Sequence, residues 1–219
     1  PDRLHGVRPA DHRDPECHAS LPWKPSISSV YQAVEIAQDI APLLIGERAN
    51  ANGSKAFREA LLADDYQAAL KIGIEQQGSG AHAADLCTAY AGRDEKADMS
   101  EMIKLFAESV RLPVVIDSTI PDVVEAALRI HPGRCVINSI NLEDGGKNLE
   151  KLCKLAKKYG AACVALTINE KGMALTTADK VATAQAIYDL AVGKYGLRAG
   201  DLLFRSEERR VGKECRSRW

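Results

Sequence analysis

The amino-acid sequence predicts an α/β protein, a (β/α)8 barrel of the TIM type that is incomplete, with about the first six strands present. Short apolar segments that suit strands buried on both faces alternate with amphipathic helical segments, which indicates a parallel sheet with crossover helices. Polar residues also end each of the early strands. An open nucleotide-binding sheet concentrates such residues at one switch point, whereas a barrel collects them at the carboxyl ends of many strands, so the pattern favours a barrel mouth.

Length and composition are those of a soluble globular protein. The chain has 219 residues, of which 46% are hydrophobic and 27% charged, and this excludes disorder as the main state. A formal net charge of −1 leaves no global positive field for nucleic acid or an anionic membrane. No apolar run approaches the roughly 20 residues of a membrane helix, and the amino terminus lacks the apolar core of a signal peptide. We therefore expect a cytoplasmic protein without nucleic-acid or membrane partners.

The cysteines predict neither a disulfide framework nor a metal site. Six cysteines are scattered along the chain without CxxC pairs, and several lie inside apolar runs. Cys17 and His18 are adjacent, but zinc ligation would need further ligands at spacings that the sequence lacks. We expect reduced, mostly buried thiols.

Composition divides the chain into three parts. Residues 1–40 are predicted to be a linker and amino-terminal extension, because the first 25 are rich in Pro, His, Arg and Asp and show no sustained periodicity. Residues 41–204 form the barrel domain. Residues 205–219 are abruptly basic with no strand or helix period, which is typical of a foreign or out-of-frame tail.

Each predicted element has a local reason. Asn52 and Gly53 favour a turn because both tolerate positive φ, Asp64 or Asp65 suits a helix cap, and Pro121 suits a first helical turn. In the first half of the chain, we predict a strand at Leu43–Gly46, a helix at Ser54–Leu62, a second helix from this cap to Gly78, a strand near His82–Leu86 and a helix near Asp98–Val110. The last helix has an apolar stripe at helical spacing, formed by Met99, Met102, Ile103, Phe106 and Val110. In the second half, we predict the strand PVVIDS, a helix at Val123–Ile130, the strand RCVINSI, the helix NLEKLCKLAKKY, the strand AACVALTI, a long helix over 176–196 and a sixth strand beginning with DLLF.

Four polar side chains end four consecutive predicted strands: Asn50, Asp85, Asp117 and Asn138. Asp and Asn are poor strand formers, and helix capping or turn formation is the simplest explanation for them. The functional explanation is that they converge on one pocket at the barrel mouth. Two carboxyl and two carboxamide groups without a cationic cluster match a neutral planar heterocycle that displays N–H donors and carbonyl acceptors.

Five segments in order, at the spacing of successive βα units, resemble the pterin-binding region of cobalamin-dependent methionine synthases. That region is part of a superfamily that includes dihydropteroate synthase and corrinoid/iron–sulfur protein methyltransferase. The resemblance covers roughly residues 42–204. The segments are LLIGERANANGSKAFREALLADDYQAAL, GAHAADLC, PVVIDST, CVINSINLEDG and YGAACVALTINEKG.

The resemblance implies a fragment of a methyltransferase. Its substrate would be 5-methyltetrahydrofolate, whose N5 methyl group is presented to cob(I)alamin and passed on to homocysteine. Cobalamin would be carried by a separate domain of the same or another polypeptide, and that domain is the expected protein partner. Zinc is expected only in a separate homocysteine domain, whose cysteine motif is not present in this sequence.

The resemblance also suggests roles for residues at the mouth. Asp117 and Asn138 match positions that hydrogen-bond the pterin ring, Asn50 and Asp85 match positions in the same pocket, and Ser139 lies beside them. No catalytic residue is assigned.

Three further residues are possible contacts at the rim. Glu47 and Arg48 match the family's GER turn, and Asn169 follows the fifth strand. An ion pair between Glu47 and Arg48 that shapes the rim is the alternative for those two.

Departures from the family pattern keep other functions open. Arg205 stands where the family usually has an acidic residue that helps to bind the pterin. A non-catalytic pterin-binding module or an inert fragment is therefore an alternative. A dihydropteroate synthase-like enzyme is less favoured, because GERANANG lacks that family's Pro-Asp-Ser-Phe continuation.

Overall fold

The computed structural model describes residues 23–206. Cys17, His18 and most of the predicted tail lie outside the described residues. The strands are β1 (Ser26–Ser28), β2 (Ala33–Glu35), β3 (Ile45–Asn50), β4 (Ala83–Cys87), β5 (Val114–Asp117), β6 (Val136–Leu142), β7 (Ala162–Asn169), β8 (Gly172–Met173) and β9 (Leu202–Arg205). The helices are α1 (Lys55–Leu62), α2 (Tyr66–Gly78), α3 (Glu95–Ser109), α4 (Pro121–Ile130), α5 (Lys147–Tyr159) and α6 (Thr177–Tyr188).

The main sheet has the strand order of a barrel wall. Strands β3, β4, β5, β6, β7 and β9 are parallel neighbours in chain order, and the short β8 adds antiparallel pairing to β7. An open doubly wound sheet would reverse this order at a switch point. The predicted incomplete (β/α) barrel is therefore confirmed. Within the described residues, β3 pairs only with β4, and β9 pairs only with β7.

The larger apolar core lies between the sheet and the helices. Met99, Met102, Ile103 and Phe106 form the predicted stripe on α3, and all four are fully buried. The helix begins at Glu95, earlier than predicted, because the Asp94 carboxylate caps it by accepting two backbone N–H bonds. No helix among the described residues has the length and apolar character needed to cross a membrane.

The first barrel strand and the last long helix also differ from the sequence prediction. The first barrel strand was predicted at Leu43–Gly46 but lies at Ile45–Asn50, because the polar GERAN segment continues to pair with β4. The long helix predicted over 176–196 ends as an α-helix at Tyr188 and continues as a π-helical turn over Asp189–Lys194. The polar composition of GERAN does not favour a strand, and the segment forms one because β4 pairs with it.

The smaller core lies inside the barrel, and the predicted linker contributes to it. β1 and β2 form an antiparallel hairpin, and Ile27 of β1 is fully buried against Val115 and Val136 of the inner sheet face. Residues 26–35, which lie within the segment predicted as a linker and extension, therefore pack against the barrel.

Arg134 joins the hairpin to the barrel. Its guanidinium donates to the carbonyl oxygens of Ser26 and Gly160 and lies 2.6 Å from the Asp201 carboxylate. The backbone also contributes, because the Ser28 N–H donates to the Arg134 carbonyl oxygen at 3.0 Å. These polar contacts fasten the hairpin at the end of the barrel where the strands begin.

Candidate functional site

A polar cavity of about 370 Å³ opens at the carboxyl ends of the barrel strands. This is the end at which barrel enzymes place their sites. All five residues that the sequence singled out as pocket residues line it, together with one predicted rim residue, Glu47. The lining consists of Glu47, Asn50, Asp85, Asp117, Thr119, Asn138, Ser139, Asn141, Glu143, Leu166, Ile168 and Arg205.

The local turn after β3 fixes the Asn50 amide. Its Oδ1 accepts the backbone N–H groups of Asn52 (2.9 Å) and Gly53 (2.8 Å). The Nδ2 group is thereby directed the other way, toward Asp117 Oδ2 at 3.4 Å. Because this contact is long, the Asn50 donor has capacity for a stronger partner in the cavity.

Asp85 is a buried carboxyl group of the cavity lining. It is 2% exposed, and the Asn138 Nδ2 donor lies 3.4 Å from its Oδ1. Burial raises the pKa of Asp85 to about 8, and the nearby carboxylates of Asp117 and Glu47 add to the rise. At neutral pH this side chain is mainly a neutral acid that can donate a hydrogen bond.

Asp117 has a more mixed environment. Burial and the charge of Glu47 raise its pKa, whereas a hydrogen bond from the Cys87 thiol and the charge of Arg205 lower it. Burial raises the pKa of Cys87 itself to about 12, so the thiol stays protonated and acts as a donor. On balance burial keeps the pKa of Asp117 above its usual value, as it does for Asp85, but only Asp117 has a thiol donor and a cation that oppose the rise.

Ser139 and Glu47 line the cavity, whereas two other residues named from the sequence do not belong to the lining. The Arg48 side chain lies 3.5 Å from Glu75 on α2 and is not paired with Glu47. The Asn169 amide donates to the Thr183 hydroxyl at 3.0 Å. Both are held by neighbouring helices, outside the cavity lining that the described residues form.

Several lining residues were not predicted from the sequence. Thr119 lies in the loop after β5, and Asn141 and Glu143 lie at and beyond the end of β6. Leu166 and Ile168 of β7 are two residues apart, so strand alternation could have placed both on the inner face. Residues 23–206 contain no cluster of three His, Cys, Asp or Glu side chains arranged to hold a metal ion.

These observations define a (β/α)-barrel protein with a polar small-molecule site at its carboxyl-terminal mouth. The family model of pterin binding enzymes matches residues 46–205, and the chain belongs to that family. The match begins at the strand that carries Asn50 and ends at the strand that carries Arg205.

Two curated proteins are similar to this chain over nearly all of it. Methionine synthase of Mycobacterium tuberculosis is 45% identical over 197 residues, which is 89% of this chain and 16% of that protein. Methionine synthase of Mycobacterium leprae is 42% identical over 205 residues, 90% of this chain and 17% of that protein. The chain thus spans about a sixth of the length of these relatives.

Solved structures of lower identity share the fold. Xanthomonas albilineans dihydropteroate synthase, in complex with indole-2-carboxylic acid and 6-chloroguanine, superposes with a TM-score of 0.62 at 16% identity. It covers 83% of this chain, and 64% of that chain is matched. Thermus thermophilus dihydropteroate synthase gives a TM-score of 0.56 at 19% identity. At these identities the likeness establishes the barrel fold alone.

Proposed function

We propose that this chain binds 5-methyltetrahydrofolate in the cavity and presents the N5 methyl group for transfer to cob(I)alamin and on to homocysteine. The observation that carries the proposal is the convergence of two amide and two carboxyl side chains from four consecutive strands on one 370 Å³ cavity. Membership of the pterin binding enzyme family and 45% identity to a methionine synthase support the same substrate class.

The proposed roles follow from hydrogen-bonding capacity. An ionised Asp117 would accept paired N–H groups from the amidine edge of a pterin; the thiol of Cys87 and the charge of Arg205 stabilise that anion, against the burial and the charge of Glu47 that raise its pKa. A neutral Asp85 would donate to a ring acceptor. Asn50 and Asn138 each offer both a donor and an acceptor, so they suit a ring that alternates the two.

Activation of the methyl group requires positive character at N5, because a tertiary amine is a poor leaving group. The nucleophile would be supplied by the cobalt of cob(I)alamin on a separate domain. The contribution proposed for this chain is to bury and orient the pterin while leaving its methyl-bearing face open. No covalent intermediate with the protein is needed.

Binding is tested by titrating the full chain with 5-methyltetrahydrofolate in a calorimeter. Asn138→Ala is expected to weaken binding about 10-fold, because a buried ring group loses its hydrogen-bond partner. Asn169→Ala is the matched control, since its amide is held by Thr183 outside the cavity lining. Equal affinity for Asn138→Ala and the unmodified protein would contradict the proposed site.

Arg205 favours a second candidate, a pterin-binding module without transferase activity. Its cation lines the cavity where the resemblance leads us to expect an acidic residue. Cob(I)alamin added to the folate complex separates the two candidates. A change of the corrinoid spectrum to the methylated form supports the transferase, and binding without that change supports the module. Absence of both contradicts the folate assignment.

A further inference from the structure

We propose that Gln76, on the far side of β3 from the cavity, is a positioning residue that fastens a bulge in β3 and so turns both Glu47 and Asn50 toward the cavity. The inference goes beyond the proposed function, because it concerns how the cavity is built whichever ligand it takes.

The bulge is visible in the register between β3 and β4. Gly46 pairs with Ala84 and Ala49 pairs with Leu86, so three steps along β3 correspond to two steps along β4. One extra residue is therefore accommodated in β3 between Gly46 and Ala49.

The extra residue changes which face of the sheet each side chain occupies. In a regular strand, residues three apart such as Glu47 and Asn50 point to opposite faces. Here both line the cavity, while Ala49 is buried in the outer core against the helices. Arg48 also faces outward, because its guanidinium lies 3.5 Å from Glu75 of α2. Because Arg48 and Ala49 both face the helices, the alternation is shifted by one residue and Asn50 points to the inner face.

Gln76 holds this bulge by a single hydrogen bond. Its Oε1 accepts the backbone N–H of Arg48 at 2.9 Å, at the point where the ladder with β4 is interrupted. The side chain is 1% exposed, and its Nε2 has no hydrogen-bond partner among residues 23–206. The acceptor oxygen is thus the polar contact that this buried amide makes, and it is made to the bulge.

Gly46 provides the space for this contact. A Cβ atom at position 46 would lie 2.4 Å from Gln76 Oε1, which is closer than any real contact permits. Glycine and glutamine therefore act together, since the missing side chain of one admits the amide of the other.

The consequence for the cavity is electrostatic. Glu47 is one of the carboxylates that raise the pKa of both Asp85 and Asp117. The charged or titratable groups around Asp85 are Glu47 of β3, Cys87 of β4, Asp117 of β5, Glu143 beyond β6 and Arg205 of β9. Gln76 holds the backbone at Arg48, the residue directly after Glu47, so the position of Glu47 and its influence on the pKa of Asp85 should depend on Gln76.

The test measures the pKa of Asp85 from its carboxyl ¹³C chemical shift in the full chain. Glu47→Gln should lower that pKa by about 0.5 unit or more, since a nearby like charge is removed. In the Gln76→Met background, which keeps the shape but removes the acceptor, the same substitution should produce less than half of that shift. Gly46→Ala, which displaces Gln76 without replacing it, should also weaken the effect of Glu47→Gln.

Gln77→Met is the matched control. Gln77 is the next residue on α2, and its Oε1 accepts the backbone N–H of Arg111 at 2.9 Å, outside the cavity lining. In the Gln77→Met background, Glu47→Gln should still lower the pKa of Asp85 by the full amount. A full effect in the Gln76→Met background would overturn the inference.

The readout is independent of folate. Loss of the Glu47 effect in a protein that binds no 5-methyltetrahydrofolate would support the role of Gln76 and contradict the proposed function. If the protein binds 5-methyltetrahydrofolate but Glu47→Gln keeps its full effect on the pKa of Asp85 in the Gln76→Met background, the proposed function is supported and the role of Gln76 is contradicted. Thermal unfolding of each variant verifies that the barrel is folded at the temperature of the measurement.

Discussion

At the amino-terminal end of the barrel, the 6%-exposed Asp201 lies 2.6 Å from the guanidinium of Arg134. At the carboxyl-terminal end, the 2%-exposed Asp85 has a 3.4 Å contact to an amide and two carboxylates as charged neighbours. One buried acid is neutralised by a cation, whereas the other is kept neutral by holding its proton. This barrel is therefore stabilised by paired charges at one end and keeps hydrogen-bonding capacity open at the other.

The same contrast holds for the surrounding contacts. Arg134 ties together the hairpin, the end of α5 and Asp201 through short bonds. The cavity side chains instead meet each other at the limit of hydrogen-bond distance, as between Asn50 and Asp117. Groups held by short, charge-assisted bonds contribute to stability, and groups that are poorly paired are available to a ligand.

The largest effect is expected from Arg134→Met. The substitution leaves Asp201 buried without its cation and releases two carbonyl oxygens, so we expect a loss of about 3 kcal/mol in the free energy of unfolding. Urea denaturation at neutral pH measures it. Arg129→Met, at an exposed position on α4, is the control and should change stability by less than about 0.5 kcal/mol. Equal losses in the free energy of unfolding for Arg134→Met and Arg129→Met would refute the contrast between the two ends of the barrel.

Asp85→Asn should increase the free energy of unfolding, whereas Arg134→Met lowers it. An aspartate in the unfolded chain ionises near pH 4, whereas the native Asp85 keeps its proton up to about pH 8. The native state therefore binds more protons between these values, and its stability falls as the pH rises from about 4 to about 8. Asparagine removes this penalty, so we expect a gain of about 2 kcal/mol at pH 8.

The pH series serves as the internal control for that variant. Denaturation at pH 4.5, 6 and 8 should show a stability difference that grows with pH, because the native Asp85 still holds a proton that the unfolded chain has released and keeping it becomes more costly as the pH rises. A difference that is constant across the series would mean that Asp85 does not titrate as proposed. A gain in stability together with weaker folate binding would identify Asp85 as a group kept for function rather than for folding.

The smallest effect is expected from Tyr31→Phe at the edge of the hairpin. The hydroxyl donates to the Glu108 carbonyl oxygen, but Tyr31 is 48% exposed, so water can replace the lost bond. We expect a loss of about 0.5 kcal/mol in the free energy of unfolding, measured by urea denaturation, and no change in folate affinity. A loss as large as that of Arg134→Met would mean that the whole hairpin, rather than its arginine anchor, determines the stability of this end.

The fold was predictable where local chemistry and periodicity agree. Helix α2 begins after Asp65, whose carboxylate caps it by accepting the Ala68 N–H, and α4 begins at Pro121. The predicted α3 stripe is buried throughout. The hairpin of residues 26–35 was not predicted, because three-residue strands have too little periodicity to detect and depend on pairing with distant residues such as Arg134.

The candidate site was predictable in part for a similar reason. Asn50, Asp85, Asp117 and Asn138 were found because the carboxyl ends of parallel strands lie at one edge of a sheet. That Glu47 and Asn50, three residues apart, share one face was not predictable from strand alternation, because it depends on a bulge at which the Arg48 N–H donates to Gln76, 28 residues away.

By itself, the sequence determined the alternation of strands and helices, the barrel class and the four polar strand ends, because periodicity, capping and strand propensity act over a few residues. Only the tertiary structure decided that the hairpin closes the amino-terminal end, that Glu47 faces the cavity while Arg48 faces α2, and that Asp85 keeps its proton. These properties depend on burial and on contacts between residues far apart in the chain, and no local pattern carries that information.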